Sequence, residues 1–244
     1  MAALKLTLEY HGAGFNGWAV QTGLRTVEGV LSGAIETVLR VQPSLTVAGR
    51  TDTGVHARGQ VVSFDVDAVP EFGALLRSLN GVLPDDVAVV DIARAPDGFD
   101  ARRDAQSRTY RYRILTRPAP SPFLRDRALW SFLPLDFGAL ERCAAALHGK
   151  HDFTAFTPTQ TEHVRFERNV MRAEWRREGD LLEFWIEADS FMRHMVRVLV
   201  GTMLEVAGGR RHLEQFVSLL CGAERSQAGP TAEAHGLSLV RVRY

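Results

Sequence analysis

Leu4, Leu6, Leu8 and Tyr10 alternate with Lys5, Thr7 and Glu9, the period-two pattern of a half-buried strand. A glycine-rich turn follows from His11 to Trp18. Thr26 then stands as the cap of a helix whose apolar stripe is Val27, Val30, Leu31, Ile35, Val38 and Leu39. Leu45 to Ala48 predicts a second strand and Gln60 to Val66 a third. Pro70 opens a short helix with Phe72, Leu75, Leu76 and Leu79 inward. Pro84 and Asp85 end the turn after it, and Val87 to Ile92 predicts a fourth strand. The order β-α-β-β-α-β is that of the ferredoxin-like, split βαβ unit.

The second half repeats that order. Thr109 to Leu115 predicts a strand and Phe137 to Leu147 a helix with Leu140, Cys143, Ala144 and Leu147 inward. A long loop of low apolar content is expected from Lys150 to Glu167. Val170 to Arg176 and Leu181 to Ala188 flank the turn Glu178-Gly179-Asp180 and predict a hairpin. Ser190 is expected to open a helix with Phe191, Met195, Val198, Leu199, Thr202, Met203 and Val206 on its inner side, ending at Gly208-Gly209. A short helix from His212 to Leu220 and a strand from Leu237 to Val242 complete the set. The expected fold class is α+β, with two similar halves and mainly antiparallel sheets. The first half is placed at residues 1–104 and the second at 105–244.

Between two of these strands lies the densest group of polar residues, Gly49-Arg50-Thr51-Asp52-Thr53-Gly54-Val55-His56-Ala57. Functional residues concentrate in loops held by a rigid scaffold. A structural turn, with Arg50 paired to Asp52, explains part of the same composition.

Composition narrows the function only slightly. Hydrophobic residues make up 45% and charged residues 24%, ordinary for a globular protein. No apolar run reaches the ~18 residues of a membrane span, and the N-terminal residues lack a secretory h-region. Cys143 and Cys221 sit far apart in apolar segments and suggest neither a disulfide framework nor a zinc motif. A reducing cytoplasm is the expected compartment. The formal net charge is +0, but residues 1–104 carry −4 and residues 105–244 carry +4. All the basic residues except Lys5 and Lys150 are arginine, the side chain suited to bidentate phosphate contacts and stacking.

Walker, Rossmann and Gly-x-Ser-x-Gly patterns are absent, neither cysteine has an activating neighbourhood, and no His-Glu-x-x-His occurs. No metal or cofactor is therefore expected. Asp52 among arginines remains. An ionised Asp can attack an electrophilic sugar carbon, and needs an opposite charge to stay ionised where water is excluded. Arg50 and Arg58 are local candidates for that charge. Arg193 and Arg197, four apart on an otherwise apolar helix, are a second pair, with snorkelling to water as the plain alternative. In Arg108-Thr109-Tyr110-Arg111-Tyr112-Arg113, alternation sends the tyrosines to one face and Arg111 and Arg113 to the other. Interleaved aromatic and basic residues suit single-stranded nucleic acid, and also describe a tyrosine-rich edge strand.

Taken together these clusters resemble the TruA-type tRNA pseudouridine synthases. Gly49 to Ala57 with Gly59-Gln60-Val61 is similar to that family's signature. The likeness extends to Tyr10-His11-Gly12, Phe15-Asn16-Gly17-Trp18, Phe99-Asp100-Ala101-Arg102, Tyr110-Arg111-Tyr112 and Asp152-Phe153-Thr154-Ala155-Phe156. It continues through Phe191-Met192-Arg193-His194-Met195-Val196-Arg197 with Gly201, and His235-Gly236-Leu237 with Tyr244. Thr53 and Ala19 stand where the family usually has Ala and Gln.

The resemblance implies a pseudouridine synthase fold and isomerisation of uridine at positions 38, 39 and 40 of the tRNA anticodon stem-loop, without a cofactor. Asp52 would be the catalytic nucleophile, by attack on C1′ or C6, or else would remove a sugar proton. Arg197 would hold Asp52 ionised. Tyr110 would stack on the flipped base, and its usual pKa near ~10 makes proton transfer from C5 its lesser role. Arg50, Thr51, His56, Arg58, Arg102, Arg108, Arg111, Arg193 and His194 would contact the RNA, with Arg103 beside Arg102 on the basic face. A homodimer is implied. The competing readings are a non-catalytic RNA-binding protein of duplicated RRM-like units, although the RNP1 aromatic signature is absent, and a ferredoxin-like metabolic enzyme acting on a small anion.

Overall fold

The computed structural model describes residues 2–161 and 164–244. In chain order its first elements are β1 (Ala2–Tyr10), α1 (Val27–Leu39), β2 (Thr46–Val47), β3 (His56–Val66), α2 (Phe72–Val82) and β4 (Val87–Arg94). There follow β5 (Ser107–Leu115), β6 (Leu129–Trp130), α3 (Phe137–Ala146), β7 (Gly149–Asp152), β8 (Glu167–Glu178), β9 (Leu181–Ala188), α4 (Met195–Ala207), α5 (Leu213–Ser218) and β10 (Leu237–Arg243). No helix among them is long and apolar enough to cross a membrane. The chain divides into one unit of Met1–Gln106 with Ser238–Tyr244, and a second of Ser107–Leu237.

In the first unit β1 lies between β3 and β4 and is antiparallel to both. Leu4, Leu6 and Leu8 are fully buried, as are Leu31 and Ile35 of α1 and Leu79 of α2, so the expected stripes do form the core. Thr26 caps α1 by accepting from the Gly29 N–H. α2 begins at Phe72, two residues past Pro70, and Glu71 caps it, taking the Gly73 and Ala74 N–H groups on its carboxylate. The second expected strand shrinks to β2, antiparallel to β3 at Thr46↔Ser63 and Val47↔Val62. Farther along β3, β10 runs parallel, with Ser238↔His56 and Leu239↔Ala57. A Cβ on Gly59 would sit 2.4 Å from the Val240 carbonyl oxygen, so only glycine lets that strand lie so close. Ala48, Val61 and Ala101 form a small core with Phe99, Val242 and Tyr244 packed on it.

In the second unit the sheet order is β5-β9-β8-β7, antiparallel throughout, with β6 parallel to the end of β5. Tyr112, Phe184 and Ile186 are fully buried on the side that also buries Trp175. Two expectations fail here. The segment expected to be loop from Lys150 carries β7 and a single 3-10 turn at Thr154–Phe156; residues 162–163 of that expected loop lie outside the described residues. Phe153, Phe156 and Phe216 there make an edge-on aromatic ladder at 6.0 and 6.2 Å. The helix expected from Ser190 begins only at Met195, because His194 takes a left-handed conformation, φ 63 and ψ −4. A non-glycine residue there interrupts any helical run, so Arg193 and Arg197 do not form an i,i+4 pair.

Candidate active site

The glycine-rich turn after β1 exists to brace the Asp52 loop. Gly12 packs so tightly against it that an added Cβ would lie 2.0 Å from the Val55 carbonyl oxygen. At Gly17, φ +85, an added Cβ would lie 2.9 Å from the Thr51 carbonyl oxygen and 3.2 Å from the Thr53 nitrogen; a side chain would be strained there by conformation and by space. Between them, Trp18 N–H donates to Thr51 O at 3.0 Å and Gly54 N–H donates to Phe15 O at 3.3 Å. Within the loop Val55 N–H closes a turn on the Asp52 carbonyl at 3.1 Å. Asp52 is half-buried at the crest of that turn.

The loop is shorter than its polar composition suggests, because His56 already begins β3. Its Nδ1 accepts the Gly12 N–H at 2.9 Å, which in the neutral ring leaves the proton on Nε2. The His11 and His56 rings lie 4.7 Å apart. Beneath the loop, the Tyr10 and Thr51 hydroxyls share a 2.7 Å hydrogen bond. Gln60 Nε2 donates to Gly49 O at 2.7 Å and to the Tyr10 oxygen at 3.2 Å. Burial pushes the Tyr10 phenol up to about 12 against the pull of those two hydrogen bonds, so it stays protonated. At the turn's outer edge Arg25 grips Asp86 with two hydrogen bonds of 2.8 and 2.7 Å and lies 4.0 Å from the centre of the Phe15 ring.

The other expected site residues separate by unit. Arg50 and Arg58 are exposed, and neither makes an ion pair among the described residues, which removes the local partner first considered for Asp52. Arg102 is exposed with Arg103 on a turn built by Asp100, whose Oδ1 accepts both of their N–H groups at 2.8 Å. Ala101 anchors that turn: its N–H donates to Ser63 Oγ at 3.0 Å and its carbonyl accepts from the Tyr244 hydroxyl at 2.9 Å.

In the second unit Tyr110 and Tyr112 face away from Arg111 and Arg113, as the alternation predicts. The Tyr110 ring meets Phe191 edge-on at 4.9 Å and is 7% exposed. Arg111 and Arg113 converge on buried Glu183 at 3.4 and 2.9 Å, and Arg111 also stacks 5.4 Å from Trp185. Arg108 is buried and donates to Asp189 O at 2.8 Å. Of the arginines expected on the basic face, Arg108 and Arg111 make their contacts inside the unit, whereas Arg102 and Arg103 are exposed. Arg193 is exposed and His194 half-buried.

Arg197 is half-buried on α4, and its Nε donates to Ala232 O at 2.8 Å. The segment carrying Ala232 straps across the helix at Gly201, where a Cβ would lie 1.8 Å from the Pro230 carbonyl oxygen. Thr202 Oγ1 takes the Gly229 N–H at 3.0 Å on the same strap. Arg197 and Gly201 stand out in the sequence, but the strap that joins them does not. Tyr10 and Gln60 stand in the motifs named above without an expected role, because their partners are distant in the chain.

Burial pushes the Cys143 thiol up to about 11, and Cys221 is exposed. Among the described residues no group of three or more His, Cys, Asp or Glu side chains could hold a metal ion.

The α+β fold agrees with the family to which the chain's relatives belong. A family model described as tRNA pseudouridine synthase matches residues 143–244, and the chain belongs to that family of uridine isomerases. More particularly, its relatives are proteins called tRNA pseudouridine synthase A. The protein of that name from Myxococcus xanthus is 43% identical over 100% of this chain and 92% of its own length. That of Moorella thermoacetica is 40% identical over 100% of both chains, and that of Burkholderia cenocepacia 39% identical over 99% of this chain and 89% of its own.

Proposed function

We propose that the protein isomerises uridine to pseudouridine at positions 38, 39 and 40 of the tRNA anticodon stem-loop, with Asp52 as the catalytic nucleophile. The observation that carries this reading is the loop itself. A half-buried carboxylate sits on a turn closed by Val55 N–H and clamped by Gly12 and Gly17, in a chain 43% identical to a tRNA pseudouridine synthase A. The N1–C1′ bond breaks, the uracil turns, and C5 bonds to C1′. The C5 proton leaves and N1 regains one, so no redox partner or group donor enters the balance. The target base must leave its stack, at a cost of a few kcal/mol, which contacts to the RNA backbone offset.

In this reading Arg197 supplies the charge that keeps Asp52 ionised, and Tyr110 stacks on the flipped base. Thr51, His56, Arg108, Arg111 and His194, which are buried or half-buried, shape the site, while Arg50, Arg58, Arg102, Arg103 and Arg193 meet the RNA from exposed positions. The enzyme works as a homodimer in the cytoplasm. The test is tRNA labelled at uracil C5, incubated with the wild type and with Asp52→Asn. Release of label to water by the wild type alone supports the reading. Tight tRNA binding without release would point instead to a binding module, and absence of tRNA binding to a small-molecule enzyme.

A further inference from the structure

The best-defined polar cluster without a role so far lies directly beneath the Asp52 loop. Gln60 is 0% exposed, Tyr10 4% and Thr51 7%. Buried polar groups are costly unless their hydrogen bonds are made, and here they are spent on the loop. The polarity of the Gln60 bonds can be assigned. Gln60 Oε1 accepts the Val61 N–H at 3.2 Å, and the atom facing the Gly49 carbonyl must be its amino nitrogen, because a carbonyl only accepts. That amino group also donates to the Tyr10 oxygen. The Tyr10 and Thr51 hydroxyls share the next bond, at 2.7 Å. The relay links Gln60 to Gly49 and Tyr10, and Tyr10 to Thr51.

Gly49 and Thr51 flank Arg50 on the way into Asp52, and both are tied to the sheet through this relay. On the far side the loop is held by backbone contacts to the turn after β1. We propose that Tyr10 and Gln60 are positioning residues, which act through Thr51 and Gly49 to fix where Asp52 stands relative to the reacting sugar. The inference rests on the assignment of Asp52 made above. An apolar pair at these positions would fill the same space under the loop. It would leave the loop a set of nearly equivalent conformations in place of one, and a displacement of about 1 Å costs up to ~10²-fold in rate.

The experiment compares Tyr10→Phe, Gln60→Met and the double variant with wild type in single-turnover label release and in tRNA binding. Asp52→Asn runs alongside, and Leu79→Val serves as a control that destabilises the core of the same unit away from the site. Both single variants should lose about 10- to 100-fold in rate with tRNA affinity within about twofold. The double variant should lose little more than either one, because both act through one relay. Leu79→Val should lower Tm comparably and keep the rate. If Tyr10→Phe does not fold, Gln60→Met and its rate-against-binding split carry the comparison. Wild-type rates in the relay variants, or losses matched by Leu79→Val, overturn the proposal while leaving Asp52 in place. Label release by Asp52→Asn overturns both.

Discussion

Arg197 and Ala232 hold each other by two hydrogen bonds: Arg197 Nε donates to the Ala232 carbonyl at 2.8 Å, and the Ala232 N–H donates to the Arg197 carbonyl at 3.1 Å. The guanidinium is thereby oriented by backbone. Arg197→Ala should lower turnover by about 100-fold or more while tRNA binding changes little. Arg197→Lys should rescue poorly, because an ammonium cannot bond the strap and a carboxylate in the same fork geometry. Single-turnover rates beside filter-binding affinities check this, and an unchanged rate in Arg197→Ala would break the link to Asp52.

The strap over α4 makes its own prediction. A methyl on Gly201 would meet the Pro230 carbonyl at 1.8 Å, and backbone cannot yield as a flexible side chain can. Gly201→Ala should cost about 3 kcal/mol or more, read as a lower midpoint in urea. It should also reduce activity in the protein that remains folded, since the strap orients Arg197.

Arginines in the two units should fail differently. Removing Arg102 or Arg103 should weaken binding to all tRNAs alike and reduce the slope of log affinity against log salt by about 1 for each phosphate left without its arginine. Arg111→Ala should instead cost about 1–3 kcal/mol of stability, because it strips a partner from buried Glu183. Salt titrations and denaturation curves of the three variants distinguish the two outcomes.

Tyr10 gives a pH dependence with a defined sign. Its pKa rises from 10.0 in the unfolded chain to about 12 in the folded one. The folded state therefore holds a proton that the unfolded state has released, and stability falls as pH rises between those values. The contribution is fully present below about pH 10. Tyr10→Phe should be less stable than wild type at pH 8, and the gap should narrow toward pH 12. Tm measured across pH 8 to 12 checks this.

What could be read in advance follows from how local the signal is. Leu4, Leu6 and Leu8 declare β1 because alternation lies within one strand, and Thr26 declares the start of α1 because a cap acts within one turn. Asp52 stood out by composition. The turn at His194 did not, since a single left-handed residue leaves the apolar spacing around it unchanged. Four-residue β7 is too short and polar for alternation to register. The relay was hidden for another reason: Tyr10 meets Thr51 and Gln60 across 41 and 50 residues, and a buried tyrosine looks like any core aromatic until its hydroxyl has a partner. The fate of Arg111 and Arg113 likewise depended on Glu183, 70 residues beyond Arg113.

The parallel pairing of β10 with β3 imposes an order on biosynthesis. The first unit needs Ser238–Tyr244, which leave the ribosome only after the whole second unit has been made. At ordinary translation speeds of about 5–20 residues per second, the edge of β3 waits roughly 9–34 s before its last neighbour arrives. An open strand edge is a template for pairing with other chains. A nascent chain stalled before residue 238 should therefore depend on holdase chaperones, and a 1–106 fragment should aggregate where the same fragment supplied with a 237–244 peptide does not.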